Sequence, residues 1–397
     1  MKFPIEDDMF AGNDSREEWM SLARQSQFKL GAVRNSYVGN KRKILLDFAE
    51  ILYDLGLHDS ISRGAKVLDL FSGSAFVGYF FKRMGASVWS NELLLSSYLN
   101  AIVLVEMNGL FLSNKRLKCL LDRHDDCKYE PGIAETYIGS RFTALEAEML
   151  DRFATNVDGE YGFSLREMLT GFHNSLGKKI ECYYGSPVEP LTTEKFHYEV
   201  VNASMSILHA VMNRCYVGGR LNSGQVLAKL DHRLQHQRNE GSEGIPFHAI
   251  QPSTMSFSNG RRCIASNMDA MDLLTIHKPQ VDIIYIDPPY GGDQSDYAGM
   301  YEFFETYLGS PRPPSADRFI KSKTYAESFD EMLGALPSEP VWIFSYNDDS
   351  WANIDEIIGH LKPFGRSEII VKKVDYKYKY RSKEKAGGAE YVIVAMP

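Results

Sequence analysis

Two kinds of apolar pattern alternate along this chain. Short continuous runs rich in β-branched and aromatic residues, such as VDIIYI over 281–286, predict buried strands, while the helical spacing of Ile44, Leu45, Phe48, Ile51 and Leu52 predicts an amphipathic helix over Lys41–Leu55. The run over 281–286 stops abruptly at Asp287-Pro288-Pro289-Tyr290. Neither proline has an N–H for a strand ladder, and each restricts the residue before it, so the chain is expected to leave the strand in a stiff, extended turn. That turn offers a carboxylate, a carbonyl and an aromatic face at the strand end where open α/β sheets place their ligands. Such a set suits the exocyclic amino group of a planar base. A strand ending in an N-cap aspartate and a proline turn accounts for the bare tetrapeptide equally well.

A second strand end lies far upstream. Residues 67–78 read VLDLFSGSAFVG, a strand, a turn bearing Gly73 and the start of a helix at Gly78, which is the opening of a Rossmann-like unit. The next strand, 86–90, runs into Asn91-Glu92, a carboxylate about 20 residues after the turn, where dinucleotide folds hold a ribose. The turn lacks a full GxGxxG, which favours a nucleoside ligand without phosphates, S-adenosylmethionine among them.

Between these strand ends the alternation lapses. Residues 1–33 read as a polar, irregular N-terminal extension with a short helical pattern around Ser15–Gln27, residues 34–110 as the cofactor-binding half of a catalytic domain, 111–258 as an insert, and 259–397 as the half that carries DPPY. The insert shows helical segments near 142–153 and 199–212 joined by polar loops. The sheet resumes at Arg262–Ala265, followed by Asp269 and Asp272, each of which could also start a helix as its N-cap. Tyr37–Asn40 forms the loop before the Lys41–Leu55 helix, whose N-terminus favours a negative group; Lys41 is also readable as a solvated first-turn lysine.

Composition narrows the class. The chain has 397 residues, 44% of them apolar, and no run approaches the ~20 apolar residues of a membrane span. Its start, MKFPIEDDMF, is acidic and broken by proline, unlike a secretory signal, so a cytoplasmic location is the default expectation. Five widely spaced cysteines without a CxxC argue against a disulfide framework and a zinc site. The net charge of −8 opposes an obligate nucleic-acid binder, although transient DNA contact needs only a local basic track. Two tracks stand out. In 371–385, Lys377, Lys379 and Arg381 alternate with Tyr376, Tyr378 and Tyr380, the pattern of a phosphate-contacting ribbon or of an edge strand guarded by lysines. In 229–238, KLDHRLQHQR is either phosphate-facing or a solvated helix. Arg220, Asn222, Ser223, Gln225 and Arg233 in the insert are candidates for base-edge contact or ordinary surface.

Taken together, YVGNK (37–41), DLFSGS (69–74), SNE (90–92) and YIDPPY (285–290), in that order, resemble the D12 class of adenine-N6 DNA methyltransferases, the Dam-like group. IFSYN (343–347) and EYVIV (390–394) fall where that group has its late strands. The resemblance implies a Rossmann-like S-adenosylmethionine-dependent α/β sheet with an inserted, mainly helical target-recognition region. It implies that Tyr37, Gly39, Asn40, Lys41, Asp69, Phe71, Ser72, Gly73, Ser74, Glu92, Asp269 and Asp287 hold the cofactor, with Lys41 near its carboxylate. Asp287, Pro288, Pro289 and Tyr290 would be catalytic, and Arg220, Asn222, Gln225, Arg233, Lys377, Lys379 and Arg381 would meet DNA. Two departures stand in the motif: Ala75 replaces the second glycine of FxGxG, and Glu92 replaces the usual ribose-binding aspartate.

Duplex DNA is the implied substrate, modified by a monomer of prokaryotic or phage origin beside a separately acting restriction endonuclease. Cytosine-C5 chemistry would need a Pro-Cys nucleophile, and no cysteine here follows a proline. Cytosine-N4 methylation, and a catalytically impaired DNA-binding homologue, remain the alternatives.

Overall fold

The computed structural model describes residues 16–32, 41–109, 112–185, 195–215, 230–232, 234–235, 250, 252–289, 297–310, 319, 325–347, 352–374 and 390–397. The chain begins with α1 (Arg16–Ala32), then a 3₁₀ turn at Arg42–Ile44 leads into α2 (Leu45–Asp54) and α3 (Leu57–Ser62). Strand β1 (Lys66–Asp69), α4 (Phe76–Arg83), β2 (Ser87–Asn91) and α5 (Leu95–Ala101), the last prolonged by a π turn over Ile102–Glu106, build the first half of the sheet. Helices α6 (Asn114–Leu121), α7 (Ala144–Tyr161), α8 (Leu165–Asn174), α9 (Leu176–Tyr183) and α10 (Lys195–Cys215) follow. The sheet returns with β3 (Ile264–Ser266) and β4 (Ile283–Ile286), then α11 (Tyr297–Tyr307), α12 (Tyr325–Ala335), β5 (Val341–Asn347), α13 (Ile354–Leu361), β6 (Glu368–Val374) and β7 (Glu390–Met396).

The seven strands lie in the order β3-β2-β1-β4-β5-β7-β6. The first five are parallel, and β7 runs antiparallel between β5 and β6. This is the Rossmann-like α/β sheet that the strand and helix pattern predicts. Every residue of β2, β4 and β5 is buried, as expected of strands covered on both faces. Alternate residues serve opposite layers: Val67, Val88, Ile283 and Ile343 belong to one apolar core, and Leu68, Trp89, Ile284 and Trp342 to the other.

The helical pattern around Ser15–Gln27 is borne out by α1, which continues to Ala32. α1 buries Trp19, Ala23 and Leu30 in the first core, and Trp19 Nε1 donates to the Ala49 carbonyl at 2.9 Å. Arg16, Glu17, Glu18, Arg24 and Gln25 face outward and dilute the apolar signal. Leu117, Leu150, Phe153, Val200 and Ile207, from helices between β2 and β3, join the same core as Val67 and Ile283. Two of those helices start with complete capping boxes, Thr143 with Glu146 and Ser164 with Glu167, which fixes where α7 and α8 begin.

Lys82 of α4 is fully buried and donates to the carbonyls of Val105 and Met107 at 2.7 and 2.8 Å, closing the π turn. Burial lowers its pKa to about 8. Below that pH both folded and unfolded chains carry the proton; above it the folded chain releases the proton first, so stability rises with pH until the unfolded lysine titrates. The unfolding free energy of the wild type, less that of Lys82→Met, is therefore expected to grow by about 2 kcal/mol between pH 7 and pH 9.5. Chemical denaturation at both pH values reads that difference.

Candidate active site

β1 and β4 are neighbours, with Asp69 opposite Tyr285, and the Leu70 amide donates to the Tyr285 carbonyl at 3.0 Å. The glycine-bearing turn after β1 and the Asp-Pro-Pro corner after β4 thus leave adjacent strands, about 4.8 Å apart, on the same edge of the sheet. Two segments more than two hundred positions apart in sequence become one site.

The turn after β1 is held by main-chain bonds. The Ser72 amide donates to the Asn91 carbonyl at 2.9 Å, and the Ala75 amide to the Ser72 carbonyl at 2.6 Å. Ala75 precedes α4 at φ 59° and ψ 18°, a left-handed conformation that costs an L-residue roughly 1–2 kcal/mol. The turn keeps the shape a glycine would give, with the methyl group fully buried. Asp69 Oδ2 accepts the Gly78 amide at 3.0 Å, while Asp69 Oδ1 and Ser72 Oγ are buried without a hydrogen-bond partner among the described residues. Burial, followed by the neighbouring Asp287 charge, holds the Asp69 carboxyl well above the usual carboxylate range; the Gly78 amide opposes this and Glu92 adds to it.

Gly78 lets α4 lie against β1 and β2. A Cβ there would overlap Ser90 Oγ and stand 3.0 Å from Asp69 Oδ2 and 3.1 Å from Val105 Cγ2. Gly78→Ala is expected to destabilise the fold by about 1–3 kcal/mol, as overpacking of a tight core does. It should also weaken binding of any ligand at the turn, because relief requires moving Asp69. A urea titration measures the first effect and ligand affinity the second.

The corner after β2 is organised by Asn91 and Glu92. Asn91 Nδ2 donates to the carbonyls of Leu70 and Met268 at 3.3 and 3.0 Å, and its Oδ1 accepts from Ser266 Oγ at 2.7 Å, tying together the ends of β1, β2 and β3. Glu92 is buried. Its Oε2 accepts the Gly73 amide at 2.7 Å, and Oε1 accepts the amides of Leu93 and Leu94 at 3.0 and 3.2 Å. Glu305, reaching across from α11, accepts the Leu95 and Ser96 amides, each at 2.9 Å, and caps α5 from outside. Asp269 is the N-cap of a short turn over Ala270–Asp272: its Oδ1 accepts the Met271 and Asp272 amides at 2.9 and 3.4 Å. Asp272 closes that turn and stands at the head of the next one, a π turn over Leu273–His277, without a side-chain capping bond.

The corner after β4 is anchored from below and from the side. Tyr285, buried, shares a 2.6 Å hydrogen bond with Ser345 of β5. Pro288 is buried and Pro289 partly so. Lys41, at the threshold of the first turn before α2, places its Nζ 3.1 Å from Asp287 Oδ1 and 2.6 Å from Glu390 Oε1. Its ammonium is engaged by protein carboxylates. Asp69 feels the charges of both Asp287 and Glu92, so among the described residues this edge carries an excess of acidic groups.

Of the residues singled out in sequence, Lys41, Asp69, Phe71, Ser72, Gly73, Ser74, Glu92, Asp269, Asp287, Pro288 and Pro289 fall among the described residues, at the carboxyl ends of β1–β4 or beside them. Tyr37, Gly39, Asn40, Arg220, Asn222, Gln225, Arg233, Tyr290, Lys377, Lys379 and Arg381 lie outside them. Asn91, Glu305 and Glu390 were missed. Asn91 and Glu390 stood inside the quoted SNE and EYVIV blocks, as polar residues flanking apolar runs, without a role assigned; Glu305 sits in an ordinary helical pattern. Among the described residues there is no cluster of His, Cys, Asp and Glu that could hold a metal, and no helix is long and apolar enough to cross a membrane.

No family model matches the chain. It is 33% identical over 358 residues to the type II methyltransferase M2.HphI of Haemophilus parahaemolyticus, a match covering 88% of this chain and 93% of that protein. It is 25% identical over 369 residues to the modification methylase StsI of Streptococcus sanguinis, covering 87% of this chain and 49% of the relative. The type II methyltransferase M.FokI of Planomicrobium okeanokoites is 25% identical over 382 residues, covering 89% and 51%. The chain thus spans nearly all of the first relative and about half the length of the other two.

Proposed function

The chain belongs to the type II DNA methyltransferases, and from that membership we propose that it is an adenine-specific enzyme of the D12, Dam-like class, which moves the methyl group of S-adenosylmethionine to adenine N6 in duplex DNA. The observation that supports this reading most is the adjacency of the Asp69–Ala75 turn and the Asp287–Pro289 corner on neighbouring strands.

The residues present fit a cationic nucleoside cofactor. Asp69 Oδ1 and Ser72 Oγ are buried acceptors without described partners, and the surrounding carboxylates favour positive charge. Asp69, Phe71, Ser72, Gly73 and Ser74 would line the cofactor, Glu92 would take its ribose hydroxyls and Asp269 its adenine amino group. Tyr37, Gly39 and Asn40 would flank its amino-acid end. When bound, the cofactor supplies an electrophilic methyl group on a sulfonium.

What the chain must supply is orientation. The lone pair of adenine N6 is delocalised into the ring, so the amine is a weak nucleophile. Asp287 and the Pro288 carbonyl accept hydrogen bonds from its two N–H groups and turn the lone pair toward the methyl group, Asp287 takes the proton that N6 sheds once methylated, Pro289 stiffens the corner, and Tyr290 stacks on the base. No covalent enzyme intermediate is needed, and proximity with a fixed electrostatic environment provides the acceleration. The target base leaves the duplex at a cost of roughly a few kcal/mol, which stacking worth ~1–3 kcal/mol offsets.

Residues 111–258 serve as the target-recognition region, with Arg220, Asn222, Gln225 and Arg233 at base edges or phosphates and Lys377, Lys379 and Arg381 on phosphates. The enzyme acts as a cytoplasmic monomer of prokaryotic or phage origin, beside a separate restriction endonuclease. Incubation with methyl-labelled S-adenosylmethionine and mixed-sequence DNA, followed by mass spectrometry of the nucleosides, should yield labelled N6-methyladenine. Labelled N4-methylcytosine would overturn the assignment of the base, and unlabelled DNA the assignment of activity.

A further inference from the structure

We infer that Glu390 is a positioning residue for methyl transfer, acting on Asp287 through Lys41. The inference rests on the reading of Asp287 as the group that grips the substrate amine, and it adds a residue from the far end of the chain.

The geometry is specific. Glu390 opens β7 and is fixed on both flanks, opposite Asn347 of β5 and Val374 of β6. Its side chain is 1% exposed and its Oε1 lies 2.6 Å from Lys41 Nζ, which in turn lies 3.1 Å from Asp287 Oδ1. A carboxylate buried at the start of a strand paired on both sides is costly, and an apolar residue would fill that position without the penalty. The charge therefore has a use beyond packing.

Lys41 explains the use. Its ammonium is a point charge on a flexible four-carbon stem, so one partner does not fix where it sits. Two carboxylates do. Glu390 is the rigid one, held within the sheet, and Asp287 stands on the turn after β4. By anchoring the ammonium, Glu390 sets the position from which Lys41 orients the Asp287 carboxylate. Its negative charge also offsets that of Lys41, so Asp287 keeps its strength as an acceptor toward the N6 hydrogens.

Single-turnover methyl transfer, cofactor affinity, DNA affinity and melting temperature should be measured for Glu390→Gln, which preserves size and an acceptor while removing the charge. The expected result is a rate constant about 10–100-fold lower, with both affinities within threefold of wild type. In a Lys41→Met background the same change should cost less than twofold further, since the path through Lys41 is already cut. A rate within threefold of wild type for Glu390→Gln, or a rate loss that persists undiminished in the Lys41→Met background, would overturn the inference. Should Glu390→Gln not fold, the charge-free pair Lys41→Met with Glu390→Met keeps the volume. That pair is expected to be folded but at least tenfold slower, and full activity in it would overturn the inference. Retained turnover in Asp287→Ala removes the underlying reading, whereas an unaffected Glu390→Gln beside an inactive Asp287→Ala removes only the role of Glu390.

Discussion

Asp287→Ala is expected to lower the rate of methyl transfer by about a thousandfold or more while the protein stays folded and still binds the cofactor. Removing one preorganised hydrogen-bonding group from a reacting centre costs about 10²–10³ in rate, and Asp287 is asked both to accept a hydrogen and to aim the lone pair. The fold should tolerate the change, because Lys41 keeps its 2.6 Å contact with Glu390 and is not left as an unpaired buried charge. The turn after β1 is built from bonds among Ser72, Ala75, Asn91 and Glu92 that do not involve Asp287, so cofactor affinity should change little. Single-turnover rates alongside equilibrium cofactor binding separate these effects. Turnover near the wild-type level would remove Asp287 from the chemistry.

Lys41→Met should slow methyl transfer and, unlike Asp287→Ala, also bring a large loss of stability. It leaves two carboxylates, with side chains 16% and 1% exposed, without the ammonium that bridges them. Breaking a buried pair by removing one partner costs about 3–5 kcal/mol, and here one cation serves two anions. Urea unfolding of the variant should show that deficit. Adding Glu390→Met should recover part of it by removing one of the two negative charges that faced Lys41, and an additive loss in the double variant would contradict the arrangement.

The sequence made the working edge of the sheet legible for a physical reason. Strands buried on both faces read as continuous apolar runs, and DLFSGS and IDPPY mark where two of them end in polar, turn-forming residues. Strand adjacency was not readable from the residues alone, since nothing in VLD or IIYI encodes which strand lies beside which; the register of Asp69 with Tyr285 supplies it. Partners of buried charges were also hidden. Lys41 and Glu390 stand 349 positions apart, and neither carries a local mark of the other. Glu92 matched a ribose-binding position by spacing, but spacing could not show that its carboxylate also ties Gly73 to the end of β2. Ala75 departs from the glycine of the motif, yet the backbone keeps the left-handed turn, so the substitution costs strain without changing the path of the chain. α1 was legible as a helix but its docking was not, because its polar face outnumbers the few large residues, Trp19 and Leu30 among them, that hold it.

The turn after β1 and the corner after β4, leaving adjacent strands, are expected to act as one site across which a methyl group passes. A duplex oligonucleotide whose target adenine N6 is covalently linked to the 5′ position of the cofactor's nucleoside tests it directly by equilibrium binding. The linked duplex should bind at least a hundredfold more tightly than the unlinked duplex. Binding no tighter than that of the unlinked duplex would contradict it.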